Sequence, residues 1–173
     1  MTTPATERTI ELLTTRQLLA LPPPTWLMEG LLPTDALIGL TGKSGDGKSF
    51  ISRDWGMHIS QGLPWMGHAT VRAPVVYIAA EGGRGIQKRV RAWMNVHNMT
   101  ELLGMYFMVS PLYVREEGTI EAFCDALGHA EHERINPGLV VIDTLARSFG
   151  GGEENSSTDM GAFMARITEL SAE

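Results

Sequence analysis

Apolar residues recur along this chain in short unbroken runs, separated by stretches in which they fall three and four positions apart. Val75-Val76-Tyr77-Ile78-Ala79-Ala80 is continuous and rich in β-branched residues, the pattern of a strand covered on both faces. Leu139-Val140-Val141-Ile142, introduced by Gly138, repeats it, and Met105-Tyr106-Phe107-Met108-Val109, closed by Ser110-Pro111, is a third such run. A shorter run, Ala36-Leu37-Ile38-Gly39-Leu40, predicts a further buried strand ahead of the others. Helical spacing fills the intervals. One helix is expected over residues 49–61, halted by Gly62, and a second over 85–97. A third starts at Thr119 with apolar residues at 120, 123, 124 and 127, and a last one carries Phe163, Met164, Ile167 and Leu170. Strands alternating with helices predict a three-layer α/β fold, a mostly parallel sheet with right-handed crossovers and helices on both faces.

The N-terminal stretch differs. Residues 1–9 are polar, Thr14 or Thr15 is placed to cap a short helix through Leu21, and Pro22-Pro23-Pro24 ends it in a stiff, extended spacer. Two regions follow: a helix and proline-rich linker over 1–24, and a single domain over 25–173. Trp26 either anchors the linker by packing or offers a ring on which a base could stack. Composition adds limits. With 43% hydrophobic and 20% charged residues the chain is an ordinary globular one, and a net charge of −6 argues against non-specific nucleic-acid binding through the overall field. Arg84, Lys88, Arg89 and Arg91 form a local basic strip, expected to be a solvated helix face. The one cysteine, Cys124, excludes an internal disulfide and suits a reducing cytoplasm; its neighbours Ile120, Phe123 and Leu127 place it in the core. No apolar run is long enough to span a bilayer, so a soluble cytoplasmic protein is expected.

The chemistry concentrates at one loop. Gly42-Lys43-Ser44-Gly45-Asp46-Gly47-Lys48-Ser49 fits the phosphate-binding pattern G-x-x-x-x-G-K-[ST], between a predicted strand and a predicted helix. Gly42, Gly45 and Gly47 allow a tight turn that brings bare backbone N–H groups onto phosphate oxygens. Lys48 reaches the terminal phosphates of a nucleoside triphosphate, and the Ser49 hydroxyl suits Mg²⁺. Residues Gly42 to Phe50 thus form the expected ATP cradle, with the positive end of a helix dipole behind them.

In open parallel sheets the ligand sits beyond the carboxyl ends of the strands. The run at 139–142 delivers Asp143 there, either as an acid that holds Mg²⁺ directly or through water, or as an N-cap for the segment after it. The run at 75–80 delivers Glu81, followed by Gly82-Gly83; it is either a base that polarises water for attack on the γ-phosphate or an exposed strand-end acid. Arg147 is a candidate γ-phosphate or subunit contact, or a plain surface arginine. His129 and His132, beside Glu131 and Glu133, suit a solvated helix end better than a zinc site, which needs four well-spaced ligands.

Taken together, residues 42–49, Ala80-Glu81-Gly82 and the segment Leu139 to Arg147 stand in an order and spacing that resembles the RecA-fold P-loop ATPases. Within these the chain looks most like the RepA-type hexameric replicative helicases and the phage- or plasmid-borne relatives called AAA-family ATPases. Residues 62–67 (Gly-Leu-Pro-Trp-Met-Gly) and 152–156 (Gly-Glu-Glu-Asn-Ser) add to that likeness. The resemblance implies Lys48 and Ser49 on phosphate and Mg²⁺, Asp143 on Mg²⁺ and Glu81 as the catalytic base. It also implies a homo-oligomeric ring that couples ATP turnover to movement on single-stranded DNA. The loop after the Asp strand, residues 149–159, would lie toward the ring's channel, yet it carries no Lys or Arg. Family members continue into a further strand with a γ-phosphate sensor and then an arginine finger, so a fragment or short gene product is expected, incomplete at its C-terminus. Other classes are an ATP-binding regulatory or assembly subunit with little hydrolysis, and a small-molecule kinase, against which the lack of an arginine-rich lid counts.

Overall fold

Three of the apolar runs assemble side by side in the computed structural model of the chain, which describes residues 12–80, 83–128, 134–150 and 156–170. They are β3 (Val75–Ala79), β4 (Met105–Met108) and β5 (Leu139–Asp143), in the spatial order β4-β3-β5. Both pairings are parallel and in register, Val75 lying beside Met105 on one side and Leu139 on the other. The strands are joined through helices α3 (Arg84–Val96) and α4 (Thr119–Gly128), as parallel connections require. A short α5 (Leu145–Ser148) and then α6 (Ser157–Leu170) follow β5.

Alternation along the strands splits the core into two layers. Val75, Tyr77 and Ala79, with Leu139 and Val141, face α2 (Lys48–Gln61) and α3, where Met57, Ile59, Ile86 and Trp93 close the packing. Val76 and Ile78 face the other way, against Phe123 of α4 and Phe163 and Ile167 of α6. The expected three-layer parallel α/β fold is therefore the observed one. Helix α2 ends where predicted, at Gly62, whose N–H returns to the His58 and Ile59 carbonyls.

Two larger features, and one smaller, differ from the sequence reading. Residues 36–40, expected as a buried strand, run without joining the sheet, and Leu37, Ile38 and Leu40 are 54, 41 and 39% exposed. A strand needs a hydrogen-bonding neighbour about 4.8 Å away. The loop after this segment meets the edge strand β5, but among the described residues no strand lies between them to carry the ladder across. Apolar character signals burial; it does not supply the partner. The second feature is an unforeseen hairpin, β1 (Trp26–Met28) against β2 (Leu32–Pro33), whose Leu27, Met28 and Leu32 are buried in the α2–α3 layer. It places Trp26, half-buried, opposite Pro33 and ties the proline linker to the core.

The N-terminal helix α1 (Thr15–Leu19) is shorter than expected and carries a capping box between Thr14 and Gln17. The polar segment 1–9, Glu81, His129, His132 and the glycines at 151 and 152 lie outside the described residues. Lys88, Arg89 and Arg91 are exposed on α3, and Cys124 is half-buried on α4.

Where the segments leading into β3 and β5 lie side by side, space is tight. Gly138 donates its N–H to the Pro74 carbonyl at 2.9 Å, and a Cβ there would stand 2.5 Å from the Ala73 Cβ, a contact neither backbone can relieve alone. Gly138→Ala is expected to destabilise the domain by about 2 kcal/mol in urea unfolding. Adding Ala73→Gly should return part of that loss; a double variant no more stable than Gly138→Ala would contradict the steric account.

Candidate functional site

The loop after residues 36–40 turns tightly because its backbone takes conformations open to glycine. Gly45 and Gly47 have φ of +91° and +86°, and Gly47 serves as the N-cap of α2. Asp46 folds back to accept the Lys43 N–H at 2.7 Å, which closes the turn. Lys48 lays its ammonium across the loop, donating to the Gly42 and Lys43 carbonyls, each at 2.8 Å. An ammonium has three protons, so one remains to meet an anion. Among the described residues no protein acceptor meets the backbone N–H of Gly45, Gly47, Lys48 or Ser49. These unpaired N–H groups, with the positive end of a fourteen-residue helix, make a concave anion-binding surface.

In the first turn of α2 the loop is tied to the sheet. Ser49 donates its hydroxyl to Asp143 Oδ1 at 2.8 Å, and Tyr77 donates its phenol to Oδ2 of the same carboxylate at 2.5 Å. Strand parity explains the meeting: Asp143 follows Leu139 and Val141 on the face that looks at α2, and Tyr77 occupies that face on β3. Burial, then the bond to Asp143, push the Tyr77 phenol above its ordinary pKa and keep it a donor. Arg53, four residues after Ser49 and 2% exposed, donates to the Ser49 carbonyl at 2.8 Å. Its guanidinium lies 5.6 Å from the Tyr77 ring centroid. Burial draws its pKa below the ordinary value, partly opposed by Tyr77 and by the charge of Asp143.

The outer side of α2 has its own polar cluster. Asp54 accepts the indole N–H of Trp65 at Oδ2 and of Trp93 at Oδ1, both at 2.7 Å, and His58 Nδ1 stands 3.2 Å from Oδ1. Trp93 stacks on His97 with centroids 3.7 Å apart. Burial alone would raise the Asp54 pKa, but the hydrogen bonds from His58, Trp65 and Trp93 overcome it and the carboxyl is depressed. Burial alone would lower His58; its bonds to Asp54 overcome that and raise it. Beside this cluster an open cavity of about 440 Å³ is bounded by Phe50, Met57, Trp65, Arg89 and Trp93. Phe50 is 58% exposed, with the Arg89 guanidinium 4.5 Å from its ring centroid.

Of the residues singled out from sequence, Gly42, Lys43, Ser44, Gly45, Asp46, Gly47, Lys48 and Ser49 form one loop, and Ser49 is brought to Asp143 across ninety-four positions. Phe50 sits beside the loop on an exposed face, and Arg147 is exposed on α5. Glu81 is outside the described residues, although the chain leading to it runs past Asp143, Ala80 donating to the Asp143 carbonyl at 2.8 Å. Tyr77 and Arg53 were missed. A hydroxyl inside an otherwise apolar strand marked the first, and an i+4 spacing from Ser49 the second.

Hydroxyl and carboxylate oxygens 2.8 Å apart are hard donors of the kind Mg²⁺ takes. Among the described residues there is no group of three or more His, Cys, Asp or Glu that could hold a metal ion. Nor is any described helix long and apolar enough to cross a membrane.

A glycine loop opening a helix at the carboxyl end of a parallel sheet, with a strand-end acid beside it, defines a P-loop, RecA-like α/β domain. The family model described as AAA domain matches residues 3–173, and the chain belongs to that family of nucleotide-binding ATPases. No curated protein and no solved structure matches it.

The Asp54–His58 pair gives the domain a pH signature. His58, raised, contributes stability that is complete below about pH 6.5 and lost as pH climbs through its folded value. Asp54, depressed, contributes above about pH 4 and loses it as pH falls through its own folded value. The melting-temperature gap between the natural chain and His58→Gln should therefore be widest near pH 5.5 and shrink by a few degrees toward pH 8.5. A gap that stays constant or widens over that range would refute the pairing.

Proposed function

We propose that this domain binds ATP with Mg²⁺ and hydrolyses it, as the motor of a RepA-type helicase that works as a ring on single-stranded DNA. The observation that carries the reading is the meeting of Ser49 with Asp143 directly behind the Lys48 loop. Residues 25–173 are the ATPase domain on this reading, and residues 1–24 a linker ahead of it.

Each residue then has a role. Gly42, Lys43, Ser44, Gly45, Asp46, Gly47 and Phe50 shape the cradle, whose N–H groups bind the phosphates. Lys48 keeps two protons on loop carbonyls and offers the third to the terminal phosphates. Ser49 donates its hydroxyl hydrogen bond to Asp143, so the lone pairs of its oxygen would be available to Mg²⁺, and Asp143 would hold the ion through water or directly. When bound, the ion supplies charge neutralisation between the phosphates. Glu81, two residues beyond the end of β3, takes a proton from the attacking water. Single-stranded DNA contacts come from outside residues 149–159, which lack any basic side chain.

Three measurements test this. Lys48→Ala is expected to weaken binding of a fluorescent ATP analogue by about 30-fold or more, the loss of a charge-assisted contact. Glu81→Gln should keep that binding and lower phosphate release by about 10²-fold or more; unchanged turnover would remove Glu81 as the base. Single-stranded DNA should accelerate turnover by the natural chain. Binding without turnover, with or without DNA, would instead favour an ATP-binding regulatory or assembly subunit.

A further inference from the structure

We propose that Tyr77 is the positioning residue of the metal site: its phenol fixes the Asp143 carboxylate so that the other oxygen accepts the Ser49 hydroxyl hydrogen bond and the lone pairs of the Ser49 oxygen would face the ion. The inference rests on the functional reading above and goes one residue deeper into the same site.

Tyr77 is wholly buried in the middle of β3, where an apolar side chain would fill the space without needing a partner. A buried phenol requires one, and its nearest acceptor is Asp143 Oδ2 at 2.5 Å. The phenol has a single proton, so the Ser52 hydroxyl at 3.3 Å acts as donor toward it, and the Ser49 carbonyl, also at 3.3 Å, is secondary. The result is a directed chain, Ser52 to Tyr77 to Asp143, ending on one carboxylate oxygen while Ser49 donates to the other. A carboxylate has two oxygens that exchange by rotation about one bond. With a donor fixed on Oδ2, rotation breaks two hydrogen bonds, so the acceptor for Ser49 stays in place. Arg53 supports the arrangement by holding the Ser49 carbonyl at 2.8 Å with its guanidinium beside the Tyr77 ring. Without the phenol, Oδ2 would lose its donor beside a wholly buried position, and Asp143 would be free to turn away from Ser49.

Loss of a partner behind a metal ligand typically costs 10- to 100-fold in metal affinity. The test is the MgCl₂ dependence of binding of the fluorescent analogue mant-ATP, with a parallel titration in EDTA. Tyr77→Phe is expected to raise the Mg²⁺ midpoint about tenfold and to leave the metal-free affinity within about twofold. A structural role alone would lower the melting temperature and leave the midpoint where it was; a folded Tyr77→Phe with an unmoved midpoint overturns the proposal. If Tyr77→Phe does not fold, two replacements of matched shape decide. Tyr77→para-aminophenylalanine keeps a donor and should hold the midpoint within about threefold, whereas Tyr77→para-methylphenylalanine has none and should show the full shift. Equal midpoints in the two overturn the proposal. Asp143→Asn and Ser49→Ala separate this failure from a deeper one. If both shift the midpoint and Tyr77→Phe does not, only the role of Tyr77 falls. If neither shifts it, the metal-binding reading falls with it.

Discussion

A carboxylate at the end of a half-buried strand is costly unless donors meet it, and Asp143 is met from two directions, by Ser49 on α2 and Tyr77 on β3. That one group joins three elements that are distant in sequence. Its effect reaches beyond its own energy, because residues 36–40 add no ladder bonds to the sheet. The phosphate loop is therefore held from behind, by the packing of α2 on the sheet and by this junction at its first turn, instead of from residues 36–40, which lead into it.

The junction in turn depends on strand register. Val75, Tyr77 and Ala79, and opposite them Leu139, Val141 and Asp143, share the α2 face because side chains alternate with a period of two. A slip of one residue in either strand would send Asp143 or Tyr77 to the α4–α6 side and bring Val76, Ile78 or Ile142 against α2. The apolar residues of β3 and β5 thus do two things at once. They fill both layers of the core, and they set which face the acid and the phenol occupy. Precision at the site is a by-product of packing that the fold needs anyway.

Much of this was legible in the sequence. The runs at 75–80, 105–109 and 139–142 announced three strands, and helical spacing with Gly62 as a stop located α2 to within a residue. The loop motif and the acid after the last strand were legible because each needs particular residue types at fixed places. The failures have physical causes. Residues 36–40 look like a buried strand because composition reports apolar character, whereas strand formation also needs a neighbouring edge that no local pattern encodes. The β1–β2 hairpin was hidden by its brevity and by prolines, three just before it at 22–24 and Pro33 within β2. Tyr77 was overlooked because a tyrosine in an apolar run counts as hydrophobic; its hydroxyl matters only through a partner sixty-six positions away.

Helix α2 is clamped on two sides, which bears on what binding costs. Toward the sheet, Ser49, Arg53 and Tyr77 form one connected polar group; toward α3, Asp54 gathers the two indole N–H groups of Trp65 and Trp93 together with His58. The first fixes the helix to β3 and β5, the second to α3 and the loop at 63–68. A helix held in this way cannot easily shift along its axis without breaking bonds on both faces. Its N-terminal N–H groups consequently stay aimed at one place, and an anion arriving there meets donors that need little reorganisation. Buried polar groups are usually a liability for stability. Here they cost something in the core and return it as a fixed direction for the loop, which apolar packing, being non-directional, would not supply.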